Sequence, residues 1–476
     1  MDFPILNFVS WGILGLGVRT GFWHLQRWQM QEYRADRMKA WLRTHDGTRN
    51  VFNLWFFPGK LPRPDFTGRA GLILLLFGSW SFVCWQLLPD IDFVWQVLIW
   101  ERTIWLWMGL SVWISSLPVN WTRKCLFSQA QMIIANSDVK RIGITGSFGK
   151  SSTKLILGHL LTMKYGADQV LITPRNENTE VALARLVVDK SDFFQAGKIF
   201  LAEMGAYARG EIEDVCEFVQ PQVGIVTGIN DQHIELFGSK EKQLAAKGEL
   251  PKACTEKVFF PLQDPELKHW FDTQKMKADV LPISQLGVQI EVSDEEKTIF
   301  TYRDQRFTLP WCGKFFVRNA LLAIEAAENM GVNLSESAIF LAALPPLERA
   351  LNTKRHSSGA LILEDLYSAN PDGVLAAIDQ LGKVEGHKIF IGLPLRELGE
   401  KAEMVHQQIF ERLKKIEAEV FWLKSDFEKL GQEHCGVRFH GEDEALLRRM
   451  ITALSARDGV LLESRLPDEI LDLFDV

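Results

Sequence analysis

The chain has 476 residues, which is enough for two or three domains with buried cores, and a formal net charge of -7. This charge, without any basic low-complexity run, argues against a nucleic-acid-binding protein, so no nucleic acid is expected as a partner. The six cysteines are scattered without a C-x-x-C pair, which indicates neither a zinc site nor a disulfide framework.

The N-terminal region is rich in tryptophan and apolar stretches. All but three of the 16 tryptophans precede residue 122, a bias typical of membrane interfaces. We predict transmembrane helices at 3–18, 71–88 and 103–119, the last starting after the charged pair Glu101 and Arg102. Basic residues between the first two spans place that loop, and the later domains, in the cytoplasm. The alternative is a buried helical hairpin in a soluble domain.

Residues 140–153, KRIGITGSFGKSST, have the pattern of a strand, a glycine turn and a helix start. Gly146 and Gly149 allow backbone N–H groups to turn toward an anion. Lys150 can reach nucleotide phosphates, and Ser151 can ligate Mg²⁺. Ile144 stands where the standard P-loop has a glycine. The segment predicts a phosphate-binding loop, with Ser147 and Ser152 as further contacts.

Strands and amphipathic helices alternate from Lys140 onward, which predicts an α/β domain with a mostly parallel sheet. Glu203 and the segment 230–233 each follow an apolar strand, so we expect both to lie at the strand ends near the phosphate loop. Strands near 360–363, 388–392, 420–423 and 459–462 predict a small Rossmann-like C-terminal domain. It lacks G-x-G-x-x-G, so dinucleotide binding is not expected.

Five ordered segments resemble the Mur ligases, ATP-dependent enzymes that build the peptide stem of peptidoglycan. They are TGSFGKSS in the phosphate loop, IFLAEMGAYARGEI from Ile199, 223–250 with His233 and Lys247, GKFFVRNALLAIEAA from Gly313, and the pair EDLYSANPDG and IGLPLRELGEKAEMVH. The last two are similar to signatures of the branch that adds D-alanyl-D-alanine. The resemblance covers the chain from about Ile133 and leaves out the N-terminal region.

The resemblance implies the roles of the central residues. Glu203 and His233 would contact Mg²⁺, and Lys247 would be carbamylated to hold a second Mg²⁺ or, unmodified, would stabilise the phosphates directly. Arg349 would lie near the phosphates, Asn319 at the adenine, and Asn176 and Asn178 at the substrate. Phe315 and Thr179 replace a histidine and an asparagine that are usual in the family.

In the C-terminal domain, the resemblance implies a lid that brings the incoming amine to the acyl phosphate. Asp365 and Asn370 would line its nucleotide-facing loop, and Glu397 and His406 would lie near the amine. Asp365 is equally well placed to cap a helix. The family's K-G-S-R run reads ESR here, with Arg465 retained and Glu463 as a departure.

Together these features predict a helical transmembrane region at 1–125, a Mur-ligase-like ATP-binding domain at 126–348 and a C-terminal domain at 349–476. The expected function is an ATP- and Mg²⁺-dependent amide ligase of cell-envelope peptide synthesis. It would join an amino acid or dipeptide to a carboxylate acceptor. The expected location is the bacterial inner membrane, as a multi-pass protein in contact with lipid and with other envelope-synthesis proteins. The alternatives are a membrane-bound poly-glutamate synthase and an ATP-binding membrane scaffold.

Overall fold

The computed structural model describes residues 3–42, 64–174, 177–195, 197–230, 234–293, 297–345, 352–366, 370–395 and 398–474. The predicted His233, Arg349, Asn176 and Glu397 lie outside these ranges. The chain divides into two compact units, Met1–Gln129 and Ala130–Val476.

The first unit is helical. Its helices are α1 (Phe3–Met30), α2 (Ala35–Leu42), α3 (Gly68–Gln86) and α4 (Phe93–Ala135), the last of which continues into the second unit. A small core forms where Leu25, Ala70, Ile73, Met108 and Val112 meet. The rings of Trp80 and Trp107 stack at 5.7 Å between centroids.

Only α3 and α4, among the described residues, are long and apolar enough to cross a membrane. The first predicted span, 3–18, lies in α1, which does not meet that test. The third predicted span starts after Glu101 and Arg102, but the helix α4 continues without interruption through both residues and past Pro118. Two such helices are weak support for a membrane region, because core helices of soluble proteins pass the same test.

The second unit begins with a six-stranded parallel sheet, in the order β2-β3-β1-β4-β5-β6. Its strands are β1 (Lys140–Thr145), β2 (Val170–Ile172), β3 (Ile199–Glu203), β4 (Val223–Val226), β5 (Lys257–Pro261) and β6 (Asp279–Ile283). The strands β3 and β4 are buried along their whole length, as expected for a parallel sheet covered on both faces. The carboxyl ends of β1, β3 and β4 therefore lie side by side.

Helices connect and cover this sheet. They are α5 (Lys150–Tyr165), α6 (Glu180–Asp189), α7 (Glu211–Val219), α8 (Ile234–Phe237), α9 (Lys240–Lys247), α10 (Glu249–Ala253), α11 (Pro265–Thr273), α12 (Phe315–Asn329) and α13 (Leu334–Ala342). A three-stranded antiparallel sheet, β7 (Gln289–Ser293), β8 (Thr298–Tyr302) and β9 (Gln305–Leu309), precedes α12. Apolar side chains of α5 and α12 share one core with the sheet.

The remaining residues form a five-stranded sheet in the order β10-β11-β14-β12-β13, parallel except for β10. Its strands are β10 (Asn352–Arg355), β11 (Leu361–Asp365), β12 (Lys388–Gly392), β13 (Glu419–Trp422) and β14 (Gly459–Glu463). Its helices are α14 (Pro371–Leu381), α15 (Ala402–Lys415), α16 (Glu428–Cys435), α17 (Glu444–Thr452) and α18 (Asp468–Leu471). The predicted α/β middle domain and Rossmann-like C-terminal domain are confirmed.

Candidate active site

The phosphate loop joins β1 to α5 and requires its two glycines. Gly146 has φ 145° and Gly149 has φ 75°, a backbone region that side chains disfavour. A Cβ at Gly146 would lie 2.2 Å from Thr227 Oγ1, and one at Gly149 would lie 2.6 Å from Asn319 Oδ1. Gly149 also caps the start of α5, where free backbone N–H groups favour an anion.

Lys150 and Ser147 are held inside this loop. Lys150 Nζ donates to Gly146 O at 2.8 Å and to Ser147 O at 3.3 Å. Burial lowers the pKa of Lys150, and the nearby Glu203 charge raises it. Ser147 is buried, and its hydroxyl accepts a hydrogen bond from Gln243 Nε2 at 3.2 Å. The predicted Ser152 lies, partly buried, in the first turn of α5.

Glu203 is the last residue of β3 and is only 1% exposed. Its Oε1 accepts hydrogen bonds from Ser151 Oγ at 3.1 Å and Asn178 Nδ2 at 3.0 Å. Its Oε2 pairs with Lys154 Nζ at 2.9 Å. The structure thus brings the predicted Ser151, Asn178 and Glu203 together at the edge of the phosphate loop.

Sequence reasoning missed Lys154 and Gln243. Lys154 lies one turn after Lys150 on α5, and this spacing of four residues was the available signal that both lysines face the same strand end. Gln243, on the buried side of α9, carried no comparable signal.

Lys247 ends α9 and is 3% exposed. Its Nζ donates to Ala206 O at 3.0 Å. Burial, followed by the charge of Lys150, lowers the pKa of Lys247 to about 7, against the opposing effects of Glu211 and Glu249. A large fraction of this amine is therefore neutral and nucleophilic near neutral pH.

The turn after β3, which Lys247 contacts, is fixed by two carboxylates. Glu211 accepts from Tyr207 N at 2.7 Å and Ala208 N at 3.2 Å. Glu249 accepts from Gly210 N at 2.8 Å and from Glu213 N at 3.0 Å. These bonds hold the backbone that accepts from Lys247.

Asn319 lies in the first turns of α12 and is buried against Gly149. Its Oδ1 has no hydrogen-bond partner in the described part of the chain, which leaves a polar group available to a ligand at the loop. Phe315, at the start of the same helix, packs on Phe316 with 4.1 Å between ring centroids.

In the C-terminal domain, Asp365 and Asn370 lie at the carboxyl edge of the second sheet. Burial raises the pKa of Asp365 to about 6. Its strand neighbour Glu463 is also buried, and burial and the Asp365 charge raise the pKa of Glu463. Asn370 caps α14 by accepting from Gly373 N at 3.0 Å.

Asn230, in the loop after β4, donates through Nδ2 to Asp372 Oδ2 at 3.2 Å. This contact joins the first sheet to the start of α14.

His406 is placed differently from what the resemblance implied. It is fully buried; its Nε2 accepts from Leu395 N at 3.0 Å and its Nδ1 donates to Ala402 O at 2.6 Å. The ring stacks on Phe427 at 3.9 Å between centroids. Because both nitrogens are engaged inside the domain, His406 supports the loop after β12 and does not itself face a substrate. Arg465, after β14, is exposed.

The described residues contain no group of three His, Cys, Asp or Glu side chains spaced to hold a metal ion. A cation at this site would instead use Ser151 and Glu203, together with oxygens of its ligand and of water, as Mg²⁺ commonly does.

The chain is similar to known proteins over the part that contains this site. The family model described as "Mur ligase middle domain" matches residues 144–327. The UDP-N-acetylmuramoyl-tripeptide–D-alanyl-D-alanine ligase of Bacillus subtilis is 28% identical over 296 residues, covering 61% of this chain and 64% of the relative. The enzyme of the same name from Haemophilus influenzae is 25% identical over 313 residues, covering 63% and 66%. The chain thus spans slightly less than two thirds of the length of these relatives.

Solved structures give the same fold. The MurF ligase from Thermotoga maritima in complex with ADP has a TM-score of 0.63 and 24% identity, covering 74% of this chain and 83% of that one. MurF from Acinetobacter baumannii has a TM-score of 0.63 and 21% identity, covering 74% and 80%.

The predicted multi-pass location in the bacterial inner membrane is wrong. The relatives are named as ligases of a UDP-linked peptide, and the described residues contain two weak candidate helices instead of three spans. The predicted contacts with bilayer lipid and with other envelope-synthesis proteins are not tested by these comparisons.

The matching segment 144–327 contains the phosphate loop, Glu203, Lys247 and Asn319, which are the residues that the structure gathers around one strand edge. The fold shared with the MurF ligase of Thermotoga maritima covers 74% of the chain, which is more than this segment. Residues 144–327 therefore match the Mur ligase middle domain, and the chain is similar to the MurF-type Mur ligases.

Proposed function

We propose that the chain is an ATP-dependent ligase that forms an amide bond through an acyl phosphate, in the synthesis of a peptidoglycan precursor or a related envelope peptide. The arrangement of Lys150, Ser151, Glu203 and Lys247 around the phosphate loop carries this proposal. The partly buried Lys150 and the buried Lys247, whose charges repel each other, lie where a polyanion would offset their repulsion.

The substrates follow from the names of the relatives. By similarity to them, the acceptor would be a UDP-N-acetylmuramoyl-tripeptide and the incoming amine D-alanyl-D-alanine. The acceptor carboxylate would take the γ-phosphoryl group of ATP, and the amine would then displace phosphate from the acyl phosphate. Asn178, which is hydrogen-bonded to Glu203, would orient the acceptor.

Lys150 would stabilise the charge of the phosphoryl group in transfer. Mg²⁺ would be held by Ser151 and Glu203, with His233 as a further candidate ligand, and would neutralise charge on the ATP phosphates. The 3.1 Å approach of Ser151 Oγ to the Glu203 carboxylate next to the loop fits such a pair of hard oxygen ligands.

Lys247 fits carbamylation, because reaction with CO₂ requires a neutral amine and burial lowers the pKa of this lysine to about 7. Carbamylation would turn a cation into an anion able to hold a second Mg²⁺. Lys247→Ala is then expected to be inactive and to recover partly when short carboxylates are added. Full activity of Lys247→Ala without additives would remove this residue from the site.

The C-terminal domain would act as a lid that excludes water from the acyl phosphate. The hydrogen bond from Asn230 to Asp372 supports this proposal, because it ties the loop after β4 to the N-terminus of α14. Asp365 and Asn370 would line the nucleotide-facing side of that lid.

The test is release of phosphate from ATP over a panel of carboxylate acceptors, amino acids and dipeptides. We expect release only when both an acceptor and an amine are present, and a loss of at least about 100-fold in Lys150→Ala. Release by a folded Lys150→Ala protein at the wild-type rate would contradict the phosphate-loop assignment. A scaffold that only binds ATP would release none with any pair.

A further inference from the structure

Arg318 lies beside the phosphate loop but has no role in the site described so far. It is on α12, next to Asn319, and its guanidinium carbon lies 4.3 Å from the centroid of the Phe148 ring. Phe148 is part of the phosphate loop itself, between Ser147 and Gly149. Arg318 is therefore held at the loop by its contact with an aromatic face.

The Phe148 ring also contacts the backbone after β4. A Cβ on Gly228 would lie 2.6 Å from Phe148 Cζ, so the ring rests directly on the backbone that follows β4. The Phe148 carbonyl accepts a hydrogen bond from Thr227 Oγ1. The contacts of Phe148 with Gly228 and with Arg318 thus position a guanidinium through packing, without using its N–H groups.

Those N–H groups are not satisfied within the described part of the chain. The Nε of Arg318 is buried and has no hydrogen-bond partner there, and no described carboxylate forms an ion pair with the guanidinium. By contrast, Arg303, which lies between β8 and β9, pairs with both Glu325 and Glu328 near the C-terminal end of α12. A partly buried cation without an ion-pair partner lowers the stability of the fold unless a bound anion pairs with it.

The nearest acidic groups are already engaged by backbone or amide donors. Asp264 accepts from Ile229 N at 2.9 Å and Leu267 N at 3.0 Å, and Asp372 accepts from Asn230 Nδ2. Burial lowers the pKa of Arg318 while the charges of these two aspartates raise it, so the guanidinium remains charged.

We propose that Arg318 binds the phosphate chain of the nucleotide, as a second cation beside Lys150. This inference rests on the proposed function, since it requires a nucleotide in the site. A guanidinium can stack one face on Phe148 while donating in its plane to two phosphate oxygens. A nucleotide phosphate is favoured over the acceptor carboxylate because the two neighbours of Arg318, Phe148 and Asn319, both adjoin the phosphate loop.

The test compares Arg318→Met and Arg318→Lys with the wild-type full chain, using calorimetric titration with ADP and with a non-hydrolysable ATP analogue. Loss of charge-assisted hydrogen bonds predicts a nucleotide Kd about 10- to 100-fold higher for Arg318→Met, and a smaller increase for Arg318→Lys. Arg306→Met is the matched control, because Arg306 pairs with Glu291 on the small antiparallel sheet. Its nucleotide Kd should equal that of the wild type.

The thermal midpoint without nucleotide separates binding from support of the fold. Because Arg318 lacks an ion-pair partner in the described residues, Arg318→Met should melt at or above the wild-type temperature. A lower midpoint with an unchanged nucleotide Kd would assign Arg318 a structural role and overturn the inference. An unchanged nucleotide Kd with a raised KM for the acceptor would overturn the inference and would show that Arg318 binds the acceptor carboxylate instead. If wild-type protein binds no nucleotide, both this inference and the proposed function fail.

Discussion

At the scale of single residues, the site depends on one buried ion pair. Lys154 and Glu203 are 2% and 1% exposed, and the same carboxylate also accepts from Ser151 and Asn178. Removing one member of such a pair leaves the other charged and without its ion-pair partner in the interior. The pair therefore fixes the carboxylate proposed to hold Mg²⁺.

Lys154→Met is expected to lower the free energy of unfolding by about 3–5 kcal/mol, measured by denaturant titration. Lys164→Met is its control on the same helix, because Lys164 pairs with Glu336 where both side chains are about one third exposed. The control should cost less than about 1 kcal/mol. Equal losses in the two variants would contradict the importance of the buried pair.

The sequence predicted individual residues unevenly. Ser151, Glu203 and Asn178 were identified because they belong to short motifs that follow strands, and the parallel sheet brings them together. Lys154 and Arg318 were missed because their roles depend on which side of a helix faces the sheet, which no local motif specifies. His406 matched a motif, yet its ring is buried inside the domain.

At the scale of elements, His406 joins α15 to the loop after β12. Its Nε2 must be unprotonated to accept from Leu395 N. Burial lowers the pKa of His406 from 6.5 to about 4. Between these two values the unfolded chain binds more protons than the folded one, so the stability due to neutral His406 is present near pH 7 and is lost as the pH falls toward 4.

The stability advantage of the wild type over His406→Gln is therefore expected to shrink by about 2 kcal/mol between pH 7 and pH 5. Glutamine keeps a hydrogen-bonding side chain but does not titrate. Free energies of unfolding from denaturant curves at the two pH values give the comparison. A pH-independent difference between the two proteins would show that His406 does not remain neutral in the folded state.

The elements of the α/β part were predictable from alternating patterns, since fully buried strands such as β3 and β4 read as continuous apolar runs. The bounds of the N-terminal helices could not be predicted in this way. The third span was predicted to start after the charged pair Glu101 and Arg102, but Glu101 is 6% exposed and lies inside α4, a single helix of 43 residues. Burial of this side chain depends on tertiary packing, which the local sequence does not reveal.

At the scale of the whole molecule, every described residue of the proposed nucleotide site lies within the unit Ala130–Val476. The first unit is helical and contributes none of these residues. We therefore propose that residues 126–476 contain all of the nucleotide-binding machinery.

A chain of residues 126–476 is expected to bind ATP with a Kd within about threefold of the full-length value, since it retains the phosphate loop and the C-terminal domain. Calorimetric titration of both chains measures this. The same chain carrying Lys150→Ala is the control, and it should bind more weakly. Loss of ATP binding in a folded 126–476 chain would show that the N-terminal unit completes the site.

The central claim is that the acceptor carboxylate becomes an acyl phosphate. The most direct test supplies ATP, D-alanyl-D-alanine and UDP-N-acetylmuramoyl-tripeptide whose reacting carboxylate carries ¹⁸O at both oxygens, and analyses the released phosphate by mass spectrometry. Transfer through an acyl phosphate predicts one ¹⁸O atom in each phosphate released with product, because the amine displaces the phosphate together with the former carboxylate oxygen. Product accompanied by unlabelled phosphate would contradict the account.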